Sequence, residues 1–158
     1  MYKLRKGKTK ILAFLYLLSP LLLVHFIKTE LVLLMFILTW TFDTFAYLLG
    51  IKFGKHKIMP TVSPKKSWEG FVGGFIFTVI AAYLTVSYFS EIELSQAIFI
   101  SLFLPFTATL GDFIESHYKR QAGVKDSGNF IPGDGGMLDR MDAFMLTIPT
   151  LYIYLNLI

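Results

Sequence analysis

The chain has 158 residues, of which 54% are hydrophobic, and its mean hydropathy is +0.60. This composition is typical of an integral membrane protein and excludes an ordinary soluble domain. The formal net charge is +4 and cysteine is absent, so disulfides, thiolate metal sites and a cysteine nucleophile are excluded. The length predicts a single membrane domain that covers residues 1–158.

Hydropathy predicts five transmembrane helices. In chain order they cover about residues 11–27, 31–51, 71–89, 94–117 and 138–158. Each has roughly the 17–25 residues that a helix needs to cross about 30 Å of hydrocarbon. No small-residue cleavage pattern follows the first segment, so we interpret it as a retained span and not as a signal peptide. The predicted fold class is therefore all-α, a polytopic helical bundle in the membrane.

The distribution of basic residues predicts the orientation of the bundle. All of the 15 Lys and Arg residues except Lys28 lie in residues 1–10, 52–70 and 118–137 or, as Arg140, just beyond them. Cytoplasmic segments of membrane proteins carry an excess of Lys and Arg. We therefore expect a cytoplasmic N-terminus and two long cytoplasmic loops, with attraction of the basic segments to anionic lipid head groups.

Acidic residues stand at the end of the fourth predicted helix and at the start of the fifth. Asp112, Glu115 and Ser116 have helical spacing and share one face, and Asp139 and Asp142 share a face in the same way. Ionisable groups at membrane depth are costly and normally face a cavity or a site. Two helices with paired oxygen ligands predict a Mg²⁺ site that also takes substrate phosphate.

The acids of these two helices and the segment between them each have a second interpretation. The acids could instead form ion pairs with Lys119, Arg120 and Arg140 at the membrane boundary, without a metal. The run from Gly133 to Gly136 has three glycines in four positions, and such a backbone can cradle a phosphate, although turns of this kind are usually only turns. The neighbouring Lys125 favours phosphate binding.

The loop 52–70 has a second pattern. Lys65 and Lys66 stand beside hydroxyl groups and glycine, a combination that favours polyphosphate binding. Ser63 or Ser67 could equally cap the helix that follows. Glu69 lies at the entry to the membrane, where no structural need for a carboxylate is obvious.

Several blocks of the sequence, in a fixed order and spacing, form a larger motif. The blocks are Asp43 to Tyr47, Phe53-Gly54-Lys55, Ser63-Pro64-Lys65-Lys66-Ser67-Trp68-Glu69-Gly70, Ser116, Lys119-Arg120, Lys125-Asp126, Pro132-Gly133, Gly135-Gly136 and Asp139-Arg140-Met141-Asp142. Over about residues 39–145 the chain closely resembles the phosphatidate cytidylyltransferase (CDP-diacylglycerol synthase) family.

This resemblance implies the reaction CTP + phosphatidate → CDP-diacylglycerol + pyrophosphate, dependent on Mg²⁺ and compatible with a monovalent cation such as K⁺ beside it. It implies an enzyme of the cell (inner) membrane with its active site facing the cytoplasm, and no nucleic-acid partner. The implied metal ligands are Asp112, Ser116, Asp139 and Asp142. The catalytic candidates are Asp112, Asp139, Lys125, Asp126 and Arg140. The substrate-binding candidates are Ser63, Lys65, Lys66, Ser67, Glu69, Lys119, Arg120, Gly135 and Gly136.

The chain departs from the family pattern in two respects. Asp134 stands where the family usually has a histidine, so it either joins the metal shell or points to solvent. The chain also looks like a short form that covers the C-terminal catalytic half, which leads us to expect a homodimer or a complementing membrane partner. The alternatives are a cytidylyltransferase for another lipid phosphate, of the CDP-archaeol type, and a non-catalytic cation-binding paralogue.

Overall fold

Five helices and one small β-hairpin make up the part of the chain that the structure describes. This computed structural model describes residues 14–60, 63–89, 91–124, 126–128, 136 and 138–157, with only the backbone of Leu138 and Arg140. The elements are α1 (Phe14–Phe26, ending in a 3-10 turn), α2 (Thr29–Phe53), β1 (Lys57–Met59), β2 (Ser63–Ser67), α3 (Trp68–Val86), α4 (Leu94–Gln121) and α5 (Leu138–Leu157). The predicted all-α class is confirmed.

Three helices, α2, α3 and α4, are long and apolar enough to cross a membrane. They coincide with the second, third and fourth predicted spans, and α4 continues beyond the predicted end to Gln121. The fifth predicted span coincides with α5, whereas the first lies partly outside the described residues. The chain is thus a helical membrane protein, and its exact number of spans and their orientation stay predictions.

The loop 52–70 contains a hairpin that the sequence analysis did not predict. Strands β1 and β2 pair antiparallel, with Lys57 opposite Ser67 and Met59 opposite Ser63. The N–H of Trp68 donates to the carbonyl oxygen of His56 at 2.9 Å, which closes the base of the hairpin. The sequence gives little indication of these strands, because they are short, polar and largely exposed and therefore lack an alternation of hydrophobic and polar residues.

The core lies between α2, α4 and α5. On α2 the buried side chains follow helical spacing, which directs one face inward. The main contributors are Leu31, Leu34, Met35 and Leu38 from α2, Ala97, Ile100 and Leu104 from α4, and Ile148 and Leu151 from α5. Thr107 and Thr147 add a hydroxyl contact of 2.9 Å between α4 and α5.

Glycines allow close contact of the helices next to the polar regions. A Cβ on Gly70 would meet the carbonyl oxygen of Ala46, and one on Gly111 would meet the carbonyl oxygen of Asp142. Small residues at such contacts let helix backbones approach each other in membranes. The α2–α3 contact holds the hairpin beside α2, and the α4–α5 contact brings together the acidic ends of those two helices.

Substitution of Gly74 by alanine is expected to destabilise the α2–α3 contact. The added Cβ would lie 2.8 Å from the carbonyl oxygen of Phe42 and 2.9 Å from the Cβ of Ala46, neither of which moves easily. Overpacking of this kind costs about 1–3 kcal/mol. We expect the Tm of the purified protein to fall by about 2–4 °C for each kcal/mol.

Gly73→Ala is the matched control for this prediction. Its Cβ would meet mainly the flexible end of the Leu49 side chain, which can rotate away. The helix propensity of alanine also contributes about 1 kcal/mol relative to glycine. An equal fall in Tm for both variants would show that close packing of Gly74 against α2 is not the cause.

Candidate active site

Three carboxylates meet where α4 and α5 are in contact. One oxygen from each of Asp112, Glu115 and Asp142 lies within 4.8 Å of the others. The Ser116 hydroxyl donates to Asp112 Oδ1 at 3.3 Å. The structure thus brings together three of the four predicted metal ligands and adds Glu115, and we call these four residues the acidic cluster.

Two lysines contact the acidic cluster from different sides. Lys66 Nζ, at the end of the hairpin, lies 2.5 Å from Asp112 Oδ2. Lys119 Nζ lies 3.0 Å from Glu115 Oε2 and 2.6 Å from Asp139 Oδ1. Ion pairing is therefore part of the arrangement, as the alternative interpretation proposed, but two lysines do not neutralise the three carboxylates of the cluster together with that of Asp139.

Glu115 is the most buried member of the cluster. Its side chain is 4% exposed, and neither carboxylate oxygen accepts a hydrogen bond from the residues that the structure describes. The Lys119 ammonium group lies 3.0 Å from Glu115 Oε2 and forms an ion pair with it. A buried carboxylate is costly unless a cation compensates it, and Lys119 is shared between Glu115 and Asp139. The donor set of carboxylate and hydroxyl oxygens therefore fits a hard cation such as Mg²⁺.

Asp139 lies beside the acidic cluster and binds Ser127 and Gly136 of the connecting segment. Its Oδ1 accepts from Lys119, and its Oδ2 accepts from Ser127 N and Ser127 Oγ, both at 2.9 Å, and from Gly136 N at 2.7 Å. Both oxygens of Asp139 thus already accept hydrogen bonds from the protein, and its role as a metal ligand stays a prediction. Its position in the first turn of α5 places it within hydrogen-bond distance of Ser127 N and Gly136 N.

A pocket of about 670 Å³ lies between α2, the hairpin and the start of α3. Among the predicted substrate-binding residues, Ser63, Lys65, Lys66 and Ser67 line it. Its other lining residues include Asp43, Tyr47, Gly50, Gly54, Lys57, Phe71 and Thr109. Three lysines give it a basic wall, which suits an anionic ligand. Because Lys66 also contacts Asp112, this basic pocket adjoins the acidic cluster.

Ser67 has the capping role that the sequence analysis left open. Its side chain is 3% exposed, and its hydroxyl oxygen accepts from Gly70 N at 3.3 Å, which caps α3. A Cβ on Gly54 would collide with this hydroxyl group. The Ser67 hydroxyl therefore lines the pocket where α2 and α3 meet.

Glu69 holds the base of the hairpin. Its Oε2 accepts from Lys55 N at 3.1 Å and from His56 N at 3.2 Å, and its Oε1 lies 2.6 Å from His56 Nδ1. It does not line the basic pocket, and its role in substrate binding stays a prediction. Its carboxylate instead satisfies backbone N–H groups that follow the end of α2.

Glu69→Gln is expected to loosen the hairpin without unfolding the bundle. The amide keeps the shape of the side chain but loses the charge and one acceptor oxygen, so the bonds to the N–H groups of Lys55 and His56 weaken. We expect several-fold faster amide hydrogen exchange in residues 57–59 and 63–67, with unchanged exchange in α4. Glu91→Gln, an exposed site between α3 and α4, is the control; unchanged hairpin exchange in Glu69→Gln would contradict this role.

Several predicted site residues lie outside this geometry. Arg120 donates to the carbonyl oxygen of Val124, and Asp126 is exposed. Gly136 donates to Asp139, as described above. Lys125, Asp134, Gly135 and the side chain of Arg140 lie outside the described residues.

Comparison with known proteins identifies the family. A sequence model of the cytidylyltransferase family matches residues 2–158. Phosphatidate cytidylyltransferases of Thermotoga maritima and Staphylococcus aureus (strain COL) are each 44% identical over 126 residues, covering 76% and 78% of this chain and 47% and 48% of the relative. The chain spans about half the length of these curated relatives. The motifs, the helical membrane fold and this match show that the chain belongs to the cytidylyltransferase family.

Proposed function

We propose that the protein transfers the cytidylyl group of CTP to phosphatidate, which yields CDP-diacylglycerol and pyrophosphate. The observation that carries this proposal is the contact between Lys66 of the basic pocket and Asp112 of the acidic cluster. It joins a cavity suited to a triphosphate to a set of ligands suited to a hard cation. The names of the similar proteins supply the two substrates.

The reaction needs charge neutralisation more than proton transfer. The phosphate monoester of phosphatidate is largely dianionic near neutral pH, so its oxygen needs no protein base. That oxygen attacks the α-phosphorus of CTP, a new P–O bond forms, and the bond to the bridging oxygen breaks as pyrophosphate leaves with the electron pair. The protein must hold two polyanions together and stabilise the charge that develops on the leaving group.

In this proposal each part of the site has a separate task. Lys57, Lys65 and Lys66 bind the triphosphate in the basic pocket, and Lys66 aligns it with the acidic cluster. Asp112 and Glu115, with Ser116 and Asp142, would hold Mg²⁺. When bound there, Mg²⁺ supplies positive charge for the phosphates of both substrates. Asp139 accepts from the N–H groups of Ser127 and Gly136 and so holds these two residues at the start of α5.

A defined assay tests this function. The full chain, purified and reconstituted with phosphatidate, CTP and Mg²⁺, is expected to form CDP-diacylglycerol and pyrophosphate in equal amounts. Omission of any one component should abolish the product. Product formation from an isoprenoid lipid phosphate but not from phosphatidate would favour the CDP-archaeol alternative, and no product from either would favour a non-catalytic role. Light scattering on the same sample tests the expected homodimer.

The location of the site also belongs to this proposal. We propose a multi-pass protein of the cell membrane with the hairpin and the segment after α4 in the cytoplasm, supported by the charge distribution. Single cysteines at Lys57 and Gly128 are expected to react with an impermeant maleimide only after the cytoplasmic side is opened. The natural chain has no cysteine, so the maleimide can label only the introduced residue. Labelling of either position from outside intact cells contradicts the orientation.

A further inference from the structure

A second cavity, of about 690 Å³, lies between α1 and α4. Its lining is mainly hydrocarbon. The lining residues are Leu15, Tyr16, Leu17, Ser19, Ile114, Glu115, Tyr118, Lys119, Ala122 and Val124. None of these lines the basic pocket, so the two cavities are separate. We call this second one the α1–α4 cavity.

The polar end of the α1–α4 cavity coincides with the acidic cluster. Glu115 belongs to both, and Lys119, one turn later on α4, also lines the cavity and forms an ion pair of 3.0 Å with Glu115. The Tyr16 hydroxyl group is buried and has no hydrogen-bond partner in the part of the chain that the structure describes. A buried hydroxyl group without a partner is unusual and indicates a missing acceptor. A ligand phosphate oxygen at this end would supply one.

The remainder of the cavity excludes a fully polar ligand. A nucleotide would leave its ribose and triphosphate against leucine, isoleucine and valine side chains, where they find no hydrogen bonds. A molecule with an anionic end and a hydrocarbon chain satisfies both parts of the lining. The volume lies within the roughly 300–1,000 Å³ that is usual for small-molecule pockets.

We infer that the α1–α4 cavity binds the acyl-chain region of the lipid phosphate substrate, with the phosphate at the end formed by Tyr16 and Lys119. This inference rests on the proposed function and adds to it a place for the second substrate. The lipid and the nucleotide then occupy separate cavities that reach the acidic cluster past different residues, Glu115 and Lys66. Their phosphates meet at the cluster, while the cytidine and the hydrocarbon remain apart.

Photo-crosslinking in nanodiscs tests this assignment without requiring turnover. One probe is phosphatidate with a diazirine in one acyl chain, and the other is phosphatidylcholine with the same chain. The phosphatidate probe is expected to enrich labelling in residues 15–19 and 114–124 relative to the phosphatidylcholine probe, and unlabelled phosphatidate should remove the enrichment. Equal labelling by the two probes would show ordinary surrounding lipid and would overturn the assignment.

A cavity-filling variant provides the kinetic test. Ile114→Trp is expected to raise the KM for phosphatidate by about tenfold through steric conflict, and to leave the KM for CTP unchanged. Leu110→Trp is the matched control, because Leu110 is one turn earlier on the same helix, is 53% exposed and does not line the cavity. A similar change in both variants, or a rise in the KM for CTP alone, contradicts the inference.

The lipid cavity and the proposed reaction can be rejected independently of each other. Enriched crosslinking together with a wild-type protein that forms no CDP-diacylglycerol would retain the lipid cavity and reject the proposed reaction. An active wild type with equal labelling by both probes would retain the reaction and reject the cavity.

Discussion

Asp112→Asn is expected to lower the rate of CDP-diacylglycerol formation by at least about 100-fold, the lower range for losing one preorganised electrostatic element of an active site. Asp112 contacts Lys66 and Ser116 and lies in the acidic cluster. Asparagine keeps the shape of the side chain and removes the charge. The initial rate at saturating CTP and phosphatidate, measured across a Mg²⁺ titration, gives the result.

The loss should persist at the highest Mg²⁺ concentration, because added metal does not restore the missing carboxylate. Glu30→Gln is the control for the removal of a negative charge. Glu30 lies in the first turn of α2 and is not a member of the acidic cluster. The elution profile and Tm of both variants show whether the bundle is intact. Wild-type activity in Asp112→Asn at saturating Mg²⁺ would exclude Asp112 from the metal site.

Lys66→Met is expected to reduce kcat/KM for CTP by about 100-fold, again on the scale of one lost electrostatic element. Lys66 is the residue that lines the basic pocket and also contacts the acidic cluster. Its removal lowers the positive charge at the triphosphate and leaves Asp112 without its ion-pair partner. Steady-state kinetics with CTP as the varied substrate measure the effect.

Two comparisons make this result specific. Lys52→Met removes a lysine near the end of α2 that does not line the pocket, and it should retain wild-type kinetics. The KM for phosphatidate should change less than the KM for CTP in Lys66→Met, because the lipid is proposed to bind on the other side of the cluster. Equal changes in kcat/KM for CTP in Lys52→Met and Lys66→Met would show that Lys66 acts only through the overall positive charge of the surface.

The arrangement explains why the site carries both acids and lysines. The acids alone would repel the two polyanionic substrates proposed above, and the lysines alone would bind phosphate without a site for the proposed metal. Lys66 and Lys119 connect the two kinds of group, each with a distance of 3.0 Å or less to a cluster carboxylate. The proposed Mg²⁺ completes the balance of charge.

Local periodicity was sufficient for the helices and for part of the site. The sequence predicted spans at 31–51 and 94–117, and the structure has helices at Thr29–Phe53 and Leu94–Gln121. The spacing of Asp112 and Ser116 also placed them on one helix face, where they form a hydrogen bond. These features depend on the repeat of a single helix and on apolar length, both of which the sequence displays directly.

The partners of the charged groups were decided only by the tertiary structure. The contact of Lys66 with Asp112 joins the hairpin to α4, and the bond from Ser127 to Asp139 joins a loop to α5. Glu69 holds its own hairpin, although its position in the sequence showed no structural need for a carboxylate. Helical spacing orders side chains along one element, whereas the distance between elements depends on how closely their backbones pack. Here Gly111 permits the close α4–α5 contact, and that contact brings Asp142 to Asp112 and Glu115.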